Sequence, residues 1–542
     1  MNKFLLVTIL FCNSLFAQDF KITKVQVKDS FKATIPDSER LNENARFADT
    51  LKDNRSQDYK FLDFEIDPKY STKLLKPAKI KSEKIDRLYK NYVVLATGYR
   101  SGFSSEYSYN SGRSKDFVYS IFFNSLKSRY KINNNQAGKS LTHFNLFVKK
   151  IRKNKNSLNM QVNYERKRAI SYGHTVLLEE SDLTNRFSYF DVNVSYNGDF
   201  TFLNSKIQHN SHLFFSDLNE LSENNLSINS NFISKFKNIP ISLDFEFDNY
   251  FNYNSAQKKP YETTEQEHFL NLLPRAQFQK NNFDFDVGLL LDYSSIYGID
   301  LFPVLTSSKE IIKKTLSIEF GIENERKRNT YKSLSDENPF VHSLGTNQNT
   351  FFRDTTLNLY TTKFKHIFLK LKTKFSNYDQ FISRISYGSV ENLHYFENNF
   401  RSEYNRFLVH YIDVMQFHFY TSYERKINSF SNLIFDLSYF NWNEKEISHK
   451  PNLYFTSSLP INLRNKIICE PIISFIGSQN SFLNQSYTMG SRAYLNLKMT
   501  YNYNNRLSSI LLLNNILNEK KEIWRGYNDI GFSGAISFNY IF

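Results

Sequence analysis

Phe283-Asp284-Phe285-Asp286-Val287-Gly288-Leu289-Leu290-Leu291-Asp292-Tyr293 is the stretch that decides the fold of this 542-residue chain. Odd positions carry Phe, Val, Leu and Tyr, even positions carry Asp and Gly, and Leu290 is the one breach. A period of two places each set on one face of a β-strand, because successive strand side chains point to opposite sides. The same alternation recurs on either side. Ile241, Leu243, Phe245 and Phe247 alternate with Ser242, Asp244, Glu246 and Asp248. Leu316, Ile318, Phe320 and Ile322 alternate with Ser317, Glu319, Gly321 and Glu323, and Leu495, Leu497, Met499 and Tyr501 with Asn496, Lys498, Thr500 and Asn502. Turn-type clusters such as Ser111-Gly112, Asn154-Lys155-Asn156 and Asn504-Asn505 punctuate the runs.

The polar set is often charged over about 10 residues at a time, the length a tilted strand needs to cross a bilayer. A large soluble sandwich would also alternate, but it needs dense turns. The chain holds only 16 Gly and 11 Pro, well below the usual roughly 7% and 5%. Aromatic residues make up 16% of it, with 52 Phe and 35 Tyr, the material of the girdles that mark membrane interfaces. Mean hydropathy is −0.51, and after residue 17 no apolar run approaches the ~18 residues of a membrane helix. Gly534, Ile536, Phe538, Tyr540 and Phe542 share one face at the C-terminal end. These features predict an all-β fold, a transmembrane antiparallel β-barrel of about 16–22 strands. Long polar loops are expected around Arg129–Leu141, Asn254–Glu267 and Tyr331–Asp354.

Ahead of this region, Met1-Asn2-Lys3 is a basic start and Phe4 to Phe11 an apolar core, with Ala17 before Gln18 as a cleavage site. The expectation is a secretory signal peptide over 1–17. Bulky Phe11 before Cys12 argues against a lipoprotein site. Residues 18–90 are charged and alternate poorly. They predict a periplasmic tail with an extended Lys76-Pro77-Ala78-Lys79-Ile80-Lys81 segment and a short helix near Ser82–Tyr89. Residues 91–542 form the barrel. Only Cys469 then remains, so no internal disulfide is available. Net charge is +15, but the charges are dispersed. In an exported chain they face lipid phosphates or line a passage, and no nucleic-acid partner is expected.

A set of residues towards the C-terminus carries a resemblance. His449-Lys450-Pro451, Gly490-Ser491-Arg492, Leu495-Asn496-Leu497 and Leu513-Asn514-Asn515-Ile516-Leu517-Asn518 are followed by Trp524, Tyr527, Gly531, Phe532 and Gly534. Together with Leu88-Tyr89-Lys90-Asn91-Tyr92, they resemble the barrel of TonB-dependent-receptor-like outer-membrane proteins of the Bacteroidetes type. The resemblance implies the cell outer membrane and its lipid as surroundings. It also implies barrel-assembly machinery reading the C-terminal Phe542, and a possible surface lipoprotein or periplasmic partner. A receptor of that family carries a plug domain between signal and barrel, and residues 18–90 show no plug pattern. The expectation is therefore a porin-like or loop-filled transport barrel that passes or binds a polar solute without a TonB-gated plug. The alternative is a barrel serving as scaffold or assembly subunit.

No catalytic or metal motif is found: no H-E-x-x-H, C-x-x-C, G-x-x-x-x-G-K or G-x-S-x-G. His209 and His212 are three apart, on opposite faces of a strand, and would share no metal. The chain is expected to be no enzyme and to use no cofactor or metal. The charged candidates are lumen residues. Asp244, Glu246, Asp248, Asp284, Asp286 and Asp292, joined by Glu319 and Glu323, would form an acidic wall with Arg275 as an intervening base. Lys370, Lys372 and Lys374 would form a basic wall further round, opposite lipid-facing Ile367, Leu369, Leu371 and Phe375.

Overall fold

The computed structural model describes residues 88–542, apart from 153–155, 175–182, 203–204, 219–222, 238, 253–265, 342–358, 377–378, 399–404, 445–446 and 482–486. The expected signal peptide and all but the last residues of the expected tail lie outside the described residues.

One antiparallel sheet closes on itself. Its first strand, β1 (Asn91–Gly98), pairs with its last, β27 (Ser533–Ile541), from Tyr92 opposite Ile541 to Thr97 opposite Ile536. Two segments, β18 (Leu453–Ser458) and β19 (Ile461–Leu463), are successive halves of one wall strand between β17 (Ser431–Trp442) and β20 (Ile467–Ile476), so the wall has 22 strands. Closure pairs each strand of the wall with a neighbour on both sides, except where β12 (Gly298–Ile312) and β13 (Leu316–Arg328) separate towards the long-loop end, and such pairing is the condition for backbone in hydrocarbon. At the seam the two chains run so close that a Cβ on Gly98 would sit 2.0 Å from the Gly534 carbonyl oxygen.

The two ends of the barrel differ. Residue 91 and Phe542 lie together at one end, where hairpin turns are short, such as 281–282 and 429–430. The opposite end carries the long connections 329–360, 443–452 and 515–532. Short turns mark the periplasmic side of such barrels and long loops the outer side. One expected loop is corrected. Arg129–Leu141 is an extended hairpin of β3 (Phe117–Ile132) and β4 (Asn135–Ile151), turning on two residues. Asn133 and Asn134 both have left-handed φ, +48° and +68°. Two consecutive left-handed residues are what a tight twisted hairpin demands, and Asn tolerates them. Residues 266–267 belong to β10 (Glu267–Lys280) or its start, and Tyr331–Glu337 is a helix, α1, whose N-cap Thr330 accepts from the Ser333 N–H. The remainder of those two expected loops lies largely outside the described residues.

The alternation sorts as expected. Ile241, Leu243, Val287, Leu289, Phe320, Ile367 and Leu369 are exposed on the outer surface, whereas Asp248 and Asp292 are buried within. Register carries the outer face across strands. Phe123 lies opposite Phe144, Phe144 opposite Tyr164 on β5 (Ser157–Ile170), and Tyr164 opposite Phe190 on β6 (Thr184–Phe202). That exposed aromatic row is a segment of an interfacial girdle.

The capped mouth and charged lumen as candidate functional site

At the long-loop end the connections fold inward and pack into a core of their own. Its centre is Tyr331 and Leu334 of α1, Phe340, Val341 and Leu359, with Phe407, Phe396 and Tyr527 from other connections and strand ends. Phe340 stacks on Tyr527 at 4.0 Å, and Tyr172 meets both edge-on. A buried polar seam ties the pieces. Asn185 Nδ2 donates to the carbonyls of Pro339 and Val341, Arg406 donates to Asn185 Oδ1, and Tyr527 Oη donates to the Asn405 carbonyl. Aromatic packing with satisfied polar groups fixes a single arrangement, so these connections form a cap.

His449 lies in this core, edge-on to Phe407 and beside Trp524. Its Nδ1–H donates to the Phe396 carbonyl at 2.7 Å, and its Nε2 accepts from the Arg525 N–H. One donor and one acceptor fit the neutral ring, and burial holds its pKa down at about 4. At the end of α1, Glu337 accepts from His394 and from Lys450 at 2.7 and 2.9 Å. Burial opposes its ionisation, but the His394 hydrogen bond and the Lys450 charge prevail and hold its carboxyl at about 2.

A cluster of ion pairs joins the cap to the wall. β13 (Leu316–Arg328) pairs with β12 (Gly298–Ile312) only as far as Ile322. Beyond that it pairs with β14 (Thr361–Ser376) alone, as a ribbon leading into α1. Arg326 and Arg328 share the parity of lipid-facing Phe320. The freed ribbon turns them instead onto lumen carboxylates of β9 (Ile239–Asn252), β10 and β11 (Phe283–Ser294). Arg326 reaches Asp248 at 3.1 Å, Asp292 at 3.1 Å and Glu246 at 3.3 Å, and its guanidinium lies over the Phe269 ring. Arg328 pairs with fully buried Glu267, and Lys363 with Asp292 at 2.8 Å. Buried Glu223, on β8 (Glu223–Phe236), accepts the Tyr331 N–H at the start of α1. The cap is thereby clamped to four wall strands on one side of the lumen.

The predicted lumen residues divide accordingly. Glu246, Asp248 and Asp292 belong to this clamp. Arg275 pairs with Asp244 at 3.1 Å, as the base expected between the acidic strands. Asp284 and Asp286 sit near the short 281–282 turn, where Asp286 accepts from Gln277. The basic residues are not a separate wall: β14 adjoins β13, and Lys370 lies opposite Glu319 and binds it at 2.9 Å. Glu323 is held by His366 and Arg384. Lys372 lies opposite Ser317, and Lys374 opposite Gln380 of the next strand. His209 and His212 do face opposite ways, since His212 is opposite Ser195 and His209 stacks on Phe232. Among the described residues no group of His, Cys, Asp and Glu is arranged to hold a metal ion.

Between cap and wall lies a cavity of about 570 Å³, within the range of small-molecule sites. Tyr130, Tyr172, Phe187 and Trp524 supply its apolar walls, and Lys139, Lys167, Arg168, Asp336 and Asp529 its charges. Lys167 in turn bonds Asp336 of α1 at 2.5 Å and Glu165 at 3.0 Å. Sequence reading did not single out Arg326, Arg328, Lys363, Glu267 or this cavity. The signal present was the acidic triple on β9, which needs a buried base that no neighbouring strand supplies in register.

No protein-family model matches the sequence, and no curated protein matches it significantly. Solved structures match the fold. A mutant of the ferric enterobactin receptor PfeA from Pseudomonas aeruginosa is 12% identical, covering 84% of this chain and 81% of that one at a TM-score of 0.59. The siderophore receptor PirA from Acinetobacter baumannii is 11% identical over 85% and 81%, at 0.60. The FrpB iron transporter from Neisseria meningitidis is 9% identical over 84% and 82%, at 0.62. The likeness is one of fold. With the closed wall and its apolar outer face, it places the chain among outer-membrane barrels.

Proposed function

We propose that this chain is a transport-type outer-membrane receptor that captures a polar solute at its outer mouth and passes it through the charged lumen. The observation that carries this reading is the cap. Connections at the mouth pack together beside a lined cavity and are held to lumen carboxylates by ion pairs, which a ligand's charges could exchange. An open diffusion pore has no use for such a cap. Residues 18–90 show no plug pattern in their sequence, and on this reading passage would not depend on TonB.

Trp524 offers the test, because it lines the cavity and Trp442 is the chain's one other tryptophan. Ferric siderophores and their iron-free forms are the first probes, given what the structural neighbours bind. A cavity ligand should quench wild-type emission saturably, and Trp524→Phe should abolish the change while Trp442→Phe keeps it. Equal quenching in Trp524→Phe would remove the cavity from the reading. Failure of every polar probe, with no conductance even from an uncapped variant, would favour the scaffold. Uptake lost in a strain lacking TonB, with the barrel still inserted, would overturn the TonB-independent part.

A further inference from the structure

The wall parts between β12 and β13, and neither the cap nor its cavity accounts for the parting. β12 pairs with β11 from Ser308 opposite Asp284 to Gly298 opposite Ser294. Its pairing with β13 ends at Leu305 opposite Ile322. On that side residues 298–304 have no neighbouring strand among the described residues, a length of roughly 20 Å at ~3.3 Å per residue. This edge lies in lipid. β11 is 12 residues long between the 281–282 and 295–297 turns, little more than the ~9–11 that cross a bilayer. Its outward Val287, Leu289 and Tyr293 are exposed, and β12 continues their rows with Leu305, Pro303 and Ile299. Ile299 and Leu301 are 71% and 59% exposed. The unpaired residues therefore occupy the outer half of the bilayer.

An open sheet edge in hydrocarbon leaves backbone groups without partners, and it is tolerated only against protein or beside a polar passage. The contacts behind this edge are polar. Lys363 and Lys365 of β14 share the parity of lipid-facing Ile367. Yet Lys363 binds Asp292 at 2.8 Å and Lys365 binds Asp300 at 2.7 Å, on the inward faces of β11 and β12. The ribbon of β13 and β14 thus passes on the lumen side of the β11–β12 hairpin, and the wall laps over itself along a slit. The outer lip is apolar, with Ile299, Leu301 and exposed Ile296 and Tyr297. The floor holds Asp300, Lys365 and Glu391 of β15 (Asp379–Asn398), which meets Lys365 at 3.1 Å. Beside it, exposed Asp413 accepts the Asn392 N–H at 2.7 Å. Three carboxylates against one ammonium leave the floor acidic. The slit closes at Leu305 and Ile322, so a partner strand cannot run its whole length, whereas a single alkyl chain fits a tapering gap. We propose that the slit between β12 and β13 is a lateral binding site for a single-chain amphiphile with a cationic amine head. Its chain lies along Ile299, Leu301 and Pro303, and its head meets Asp300 and Glu391.

The folded full-length barrel is purified in a neutral detergent and titrated with dodecylamine, dodecanoate and dodecanol. Bound amphiphile is read by native mass spectrometry. Wild type should retain the amine at least tenfold better than either of the others. D300N/E391Q should lose that preference while keeping its heat-modifiable migration. K365M, which removes the opposing charge, should keep or strengthen it, and serves if the double variant fails to fold. A diazirine-bearing alkylamine should label residues 296–304. Equal retention of the three probes, unchanged preference in folded D300N/E391Q, or loss of preference in K365M would overturn the proposal. Labelling confined to other strands would do the same. Cross-linking of this edge to a co-purifying protein or a second copy of the chain, with no amine retained, would make it a protein-docking edge instead.

Discussion

Replacing Arg326 by Met should unlatch the cap while leaving the wall intact. Arg326, Asp248 and Asp292 have side-chain exposures of 9%, 10% and 3%. Removing the base strands buried Asp248, leaves more exposed Glu246 to Asn271, and leaves Asp292 to Lys363. Deleting one partner of a buried ion pair costs about 3–5 kcal/mol, and the surviving Lys363 contact puts the expected cost near the lower figure. At about 1.4 kcal/mol per decade, ~3 kcal/mol is roughly a hundredfold in the cap's opening equilibrium. Hydrogen exchange reads this locally, because the α1 amides of Leu334 and Asn338 donate to the Thr330 and Leu334 carbonyls. Their exchange should accelerate by about two orders of magnitude, with wall amides unchanged and conductance appearing in planar bilayers.

Lys370→Met is the control, since the Lys370–Glu319 pair is about one-third exposed and such pairs contribute ~0–1 kcal/mol. Adding Asp248→Asn to Arg326→Met should restore part of the protection, because the stranded buried charge is gone. Refutation would be α1 exchange within a few-fold of wild type in Arg326→Met. Loss of heat-modifiable migration would equally refute it, by showing that Arg326 supports the wall rather than the cap.

Cap stability should fall with acidification below about pH 6.5. The His449 pKa is lowered to about 4 in the folded state, so its stabilising contribution is complete above the unfolded value and is lost as pH falls through 4. The shift amounts to roughly 3 kcal/mol, and exchange of cap amides at pH 4 against pH 7.5 measures it. His449→Gln should flatten the profile. The Glu337 carboxyl, at about 2, should contribute its loss only below about pH 4.5. Lys370, Lys372 and Lys374 replaced together by Glu should insert normally and shift the conductance of the uncapped barrel towards cations. Lys at Ile318 and Phe320, on the lipid face, should instead impair assembly, each costing up to roughly 2–4 kcal/mol at the midplane. Gly98→Val should prevent closure of the seam against Gly534, read as loss of heat-modifiable migration.

The wall was legible because lipid on one side and water on the other write a period of two into every strand, as in Phe283–Tyr293. The hairpin at Asn133-Asn134 was missed because a polar run with two Asn residues reads as a loop. It is also what two left-handed turn residues between strands extending beyond the bilayer look like. The acidic residues were expected to face inward with Arg275 as their base, and Arg275 does pair with Asp244, but Arg326 was not among the expected bases. A sequence period assigns Arg326 to the side of Phe320, and it does so correctly only while β13 remains between two neighbours.

Where β13 leaves β12 after Ile322, the sheet no longer dictates which way its side chains point. From there the ribbon's facing is set by what it can pair with, and three carboxylates are within reach of Arg326. The residues that carried the family resemblance behave in the same way. His449, Lys450, Trp524 and Tyr527 lie not in the wall but in the cap, where His449 meets Trp524 and Lys450 meets Glu337. Part of a pattern read as strand and hairpin signature therefore marks the packed connections at the long-loop end. The wall's period repeats in every strand and specifies only a barrel. Contacts between residues as distant as Glu337 and Lys450, or Arg326 and Asp248, have no period at all, and they hold the connections at the long-loop end in place.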